Sequence, residues 1–157
     1  MRRDYFTLDV RGLDWIESDG EPRQPTVTID FEGPASALRS RLENADGDVL
    51  DASETDVTFR LQDALDEEGS TGVVSVTNRI TGEFILELNE ETEDVLRFVK
   101  AARTYGKETD ESDGHYRVTI NIDGEEVLTY RKSTFLVYDS EGNLLRQHSL
   151  IPSGVEL

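Results

Sequence analysis

Phe84-Ile85-Leu86-Glu87-Leu88-Asn89-Glu90-Glu91-Thr92-Glu93-Asp94-Val95-Leu96-Arg97-Phe98-Val99 changes its apolar period part-way along. Residues Phe84 to Leu88 carry apolar side chains at a spacing of two, the signature of a half-buried strand. From Val95 the period becomes helical: Val95, Phe98, Val99, Ala102 and Tyr105 fall on one arc of about 120° at 100° per residue. Asn89 is placed to cap a helix running from about Glu90 to Tyr105, with Gly106 as its stop. A strand thus leads straight into an amphipathic helix, and the polar stretch Lys107 to Gly114 leads on to another strand, Tyr116–Ile122.

Upstream, the same order recurs. Val27, Ile29 and Phe31 mark a strand, and Gly33-Pro34 opens a short helix whose stripe is Ala35, Leu38, Leu42 and Ala45. After an acidic loop, Val57, Phe59 and Leu61 mark the next strand. At an offset of 57, Val27, Ile29, Phe31, Leu38 and Leu42 align with Phe84, Leu86, Leu88, Val95 and Val99. An internal strand-helix-strand duplication is one reading. The other is that any two such units align this way.

Tyr5–Val10 is a first strand, and Val73–Thr77 with Phe84–Leu88 form a hairpin around Arg79-Ile80-Thr81-Gly82. Glu126–Arg131, Thr134–Tyr138 and Leu144–Leu150 complete the set. In the Asp123-Gly124 hairpin, a three-residue loop with Gly124 left-handed sets Val118 opposite Leu128 and Tyr116 opposite Tyr130. The 157 residues therefore predict a single α+β domain, 1–157. Its architecture is a mainly antiparallel sheet of eight or nine strands, whole or split in two, with two helices packed on one face.

Sixteen Lys plus Arg face 34 Asp plus Glu, a formal net charge of -18, and 13 of those bases are Arg against three Lys. With 36% hydrophobic residues in patterned runs, this is a folded chain with a carboxylate-coated surface. Such a surface predicts adaptation to molar salt, which shortens the Debye length to about 3 Å and removes the self-repulsion. It disfavours nucleic acid and anionic membranes as partners. No apolar run reaches membrane-spanning length and Met1-Arg2-Arg3-Asp4 leads directly into a strand, so the expected location is the cytoplasm. The absence of Cys excludes disulfides and thiolate chemistry.

Two places break the acidic rule. Arg97, Lys100, Arg103 and Lys107 share one face of the long helix, a candidate anion- or partner-binding face. Against this, acids in the first turns and bases in the last are what the helix dipole favours. Between Val127 and Gly154 the only acids are Asp139 and Glu141. Central strands would explain that, or an interface drawing on Arg131, Arg146, His148, Ile151, Val155 and Leu157. Trp15 is expected to close the core. No cofactor, metal site or catalytic set is expected: His148 beside Ser149 lacks an esterase elbow, and loops such as Asp46-Gly47-Asp48 lack calcium-loop spacing.

Three stretches, Met1-Arg2-Arg3-Asp4-Tyr5-Phe6-Thr7-Leu8, Ser75-Val76-Thr77-Asn78-Arg79-Ile80-Thr81-Gly82 and Arg146-Gln147-His148-Ser149-Leu150-Ile151-Pro152-Ser153-Gly154, together resemble an uncharacterised haloarchaeal family, a domain of unknown function. The resemblance implies a salt-loving source and carries no site residue. The residues themselves favour a non-enzymatic binding or scaffold module acting through protein–protein contact, as a homodimer or with another protein. The alternative is a small-molecule or anion-binding protein using the basic helix face.

Overall fold

The computed structural model describes residues 3–15, 20–108 and 114–151. Among them are eight strands: β1 (Phe6–Arg11), β2 (Thr26–Phe31), β3 (Thr55–Leu61), β4 (Thr71–Asn78), β5 (Phe84–Glu91), β6 (Tyr116–Ile122), β7 (Glu125–Lys132) and β8 (Leu136–Tyr138). Two α-helices join them, α1 (Ala35–Arg41) and α2 (Thr92–Glu108). The strands form two four-stranded sheets, ordered β1-β2-β6-β7 and β5-β4-β3-β8. Each is mixed, with β2 parallel to β6 and β3 parallel to β8, and every other pair antiparallel. The α+β class, the two helices and the mainly antiparallel pairing stand as expected, with the strands split into two sheets.

The period-two apolar positions point inward from both sheets into one core. Ile29, Phe31, Val118 and Ile120 come from the first sheet and Val57, Phe59, Val74 and Val76 from the second. Both helices feed that core, through Leu38 of α1 and Leu42 at its C-terminal cap, and through Val95, Phe98, Val99 and Ala102 of α2. Ala45, expected in the buried stripe of α1, is exposed because the helix ends at Arg41.

The strand-to-helix junction lies two residues later than the sequence predicts. Asn89 is not a cap. It pairs with Val73, and pairing continues through Glu90–Gly72 and Glu91–Thr71. Sheet hydrogen bonds outweighed the cap signal, and α2 starts at Thr92, whose N–H and hydroxyl engage the Ser70 carbonyl and hydroxyl. Gly106 does not stop α2, which runs on to Glu108.

The β6–β7 register also differs. Ile120 faces Leu128, Val118 faces Tyr130 and Tyr116 faces Lys132. Asp123 and Gly124 both have positive φ (51° and 81°), so the turn is a two-residue one of the type that matches strand twist. An irregularity between Ile120 and Asn121 then restores the side-chain parity. The face assignment holds while the pairing shifts by two.

The segment Leu144–Leu150 is not a strand: single bridges, Tyr138–Leu144 and Phe135–Leu150, flank a 3-10 turn at Arg146–His148. The two strand-helix-strand units cross between the sheets in opposite senses. Yet β2 is internal and β5 is an edge, so the strand order lends no support to a duplication.

Candidate functional site

A cavity of about 260 Å³ lies between the sheets beside α2. Its wall is assembled from inward-facing positions: Leu8 and Val10 on β1, Val27 and Ile29 on β2, Val57 on β3, Val74 on β4, and Tyr116 and Val118 on β6. Three rings harden one side. Phe98, Tyr116 and Phe135 meet edge to face, with centroids 5.2, 5.9 and 6.2 Å apart. The Tyr116 hydroxyl is turned away from the space, donating to the Thr134 carbonyl at 2.6 Å, and burial pushes its pKa up.

The polar part of the wall comes from the β5–α2 junction, where Glu90, Asp94 and Arg97 join the lining. Burial pushes the Glu90 carboxyl above its ordinary value. A backbone hydrogen bond from Glu91 opposes this, and the charges of Asp94 and Glu91 reinforce it. The junction thus presents two acids and one guanidinium to an otherwise apolar space. In sequence, Glu90 and Asp94 read only as acids complementing a helix dipole. The late start of α2 is what sets them on the cavity.

The four bases of the α2 face separate into different roles. Arg97 lines the cavity. Lys100 and Lys107 are exposed to solvent. Arg103 instead reaches the carbonyl oxygens of Ser149 at 2.7 Å and Gln147 at 3.2 Å, fastening the C-terminal segment to the helix. The four do not converge on one ligand position.

The acid-poor stretch does not lie in central strands: β7 and β8 are both sheet edges. Its basic residues have local reasons. Lys132 is buried, with Nζ donating to the Thr55 carbonyl at 2.6 Å and the Ala52 carbonyl at 2.7 Å. Burial lowers its pKa to about 8, helped by the positive charge of Arg79 and opposed by Asp56. Arg131 and Arg146 are exposed, His148 and Ile151 are half-buried, and Val155 and Leu157 lie outside the described residues. Ser149 is buried, accepting the Val137 N–H and donating to the Leu145 carbonyl. Trp15 is buried and donates its indole N–H to the Gly12 carbonyl, closing its own loop.

Among the described residues, no group of three His, Cys, Asp or Glu side chains is arranged to hold a metal ion. No helix among them is long and apolar enough to cross a membrane. No curated protein and no solved structure matches the chain. One family model does, over residues 1–157, and the chain therefore belongs to the Family of unknown function (DUF5793).

Proposed function

We propose that this is a binding protein for a compact, mainly apolar molecule held in the inter-sheet cavity, with its polar end toward Glu90, Asp94 and Arg97. The observation that carries the reading is the cavity itself: about 260 Å³, walled by aliphatic and aromatic side chains from both sheets and α2. An apolar cavity of about 150 Å³ accommodates a benzene-sized molecule. The present one suits one substituted ring or a branched chain of similar bulk. Apolar walls with a few convergent polar groups are the general form of small-molecule sites. The lining offers no hydroxyl nucleophile, since Tyr116 is committed to Thr134, and binding without catalysis is the reading these groups support.

We further infer that the chain works in a salt-rich cytoplasm. The net charge of -18 and the 13 Arg against three Lys support this. Arg pairs well with carboxylates, while Lys exposes a long apolar stem.

The test is thermal unfolding in the presence of benzyl alcohol, benzylamine and benzoate at matched ionic strength. A bound ligand at about 100 times its Kd raises stability by about 2.7 kcal/mol. A saturable rise in Tm with at least one of the three supports the proposal. No rise with any of them, up to their solubility limits, rejects it.

A further inference from the structure

The outward face of the β1-β2-β6-β7 sheet carries a row of bases that strand register assembles. Tyr116 and Val118 turn into the core from β6, as do Leu128 and Tyr130 from β7, so Arg117 and Arg131 turn outward. Pairing then sets Arg11, Thr26, Arg117 and Arg131 side by side across all four strands. Three guanidiniums share one row in a chain of net charge -18.

Within the row, Arg117 and Arg131 are directly opposite, and like charges so placed destabilise a sheet. Arg11 is answered on its own strand by Asp9, whose carboxylate accepts its Nε–H at 2.9 Å. Arg117 has no such neighbour: beside it across the sheet stand Thr26 and Arg131, and the next outward residue along β6 is Thr119. Among the described residues Arg117 forms no ion pair, and its Nε is buried without an acceptor. Two further acids of this face are engaged at the far end of the strands, Asp30 by Asn121 at 3.0 Å and Glu126 by Thr129 at 3.2 Å. Arg117 is also half-buried, so less freedom is lost when its head group is engaged.

We propose that Arg117 and Arg131 form a site for a phosphoryl group, carried by inorganic phosphate or by the phosphate monoester of a small molecule. A guanidinium presents a planar fork of N–H donors that matches phosphate oxygens bidentately. A tetrahedral dianion has oxygens enough for both forks, and its charge turns the repulsion between them into attraction at each. Chloride, the common anion of a salt-rich medium, brings a single charge and no pair of directed acceptors. The site is independent of the inter-sheet cavity, which lies on the inner side of this sheet.

Nitrogen–proton correlation NMR of the full chain in about 1 M KCl tests this, since that salt cuts the reach of the protein's net field to about 3 Å and leaves contact binding. Inorganic phosphate and, separately, phenyl phosphate replace KCl at constant ionic strength and about pH 7.5, where a phosphate monoester is a dianion. The expected result is saturable movement of the Thr26, Arg117, Thr119 and Arg131 amides along one isotherm, with Kd of about 1–10 mM. Tighter binding of phenyl phosphate assigns the site to an ester, and equal or weaker binding assigns it to free phosphate. Arg117→Gln and Arg131→Gln should each weaken binding about tenfold or more. Both side chains point outward, so the variants should keep the wild-type circular dichroism spectrum. Lys100→Gln, which removes one charge at an exposed position of α2, should change nothing. No saturable movement in the wild-type chain overturns the proposal. So does binding that Arg117→Gln and Arg131→Gln leave intact, or that Lys100→Gln weakens equally.

Discussion

The His115 ring packs directly on the backbone of Gly106, so a Cβ at position 106 would collide with its Cδ2 and Nε2 atoms. In an exposed helix interior, replacing Gly with Ala gains about 1 kcal/mol. Here the sign reverses: Gly106→Ala is expected to destabilise by about 1–3 kcal/mol, the usual cost of overpacking. His115→Ala in the same chain should recover most of the loss. Urea denaturation of both variants measures it, and a stabilised Gly106→Ala chain would contradict the contact.

That glycine also shows where sequence reading stops. The helical period of α2, the strand alternation and the two-helix α+β class were legible because they follow from apolar spacing alone. Whether Gly106 ends a helix or admits a neighbour's ring depends on a residue nine positions away that only the fold brings near. Asn89 misleads in a similar way, while Gly124 is left-handed as expected and only the loop length and pairing differ. The cap signal of Asn89 is overruled by strand pairing with β4, and the irregularity in the β6–β7 ladder shifts the pairing that the Gly124 turn was expected to set. The cavity was not legible at all. It needs two sheets, and the sequence set no strand order.

Arg103 is expected to matter for stability and its neighbours on the helix not at all. Arg103→Ala removes charge-assisted hydrogen bonds to the Ser149 and Gln147 carbonyls, at a cost of about 1–3 kcal/mol. Lys100→Ala and Lys107→Ala, both at exposed positions, should stay within about 0.5 kcal/mol of wild type. Equal effects at all three positions would return the basic face to a single shared role.

The buried amine of Lys132 predicts an unusual pH dependence. Its pKa falls from 10.5 to about 8 on folding. Between those values the unfolded chain binds more protons than the folded one, so stability rises with pH across that window. Above about pH 10 the rise is countered by Tyr116 and Tyr130, whose raised pKa values make their contribution fall as pH increases. Subtracting the curve of Lys132→Met from that of wild type isolates the lysine. A difference that is flat from pH 8 to 10 would mean that the two carbonyl bonds offset the burial.

Val57 faces the cavity from β3, paired with Val76 of β4. Val57→Ile adds one methylene pointed into empty space, worth about 0.8 kcal/mol of stability. The same methylene should weaken any molecule bound there. Chemical denaturation of the variant with and without benzyl alcohol reads both effects. A destabilised variant would mean that the space is already filled by side-chain rearrangement.

The central claim, that the inter-sheet cavity is a ligand site, is most directly tested by methyl-resolved NMR during a titration with benzyl alcohol. The valines on the wall (Val10, Val27, Val57, Val74, Val95 and Val118) should shift together and saturate along one isotherm. Val49, exposed outside the wall, and Ile80 on the β4–β5 turn should stay in place. Shifts confined to those exposed residues, or no saturable shift at the six valines, would contradict the account.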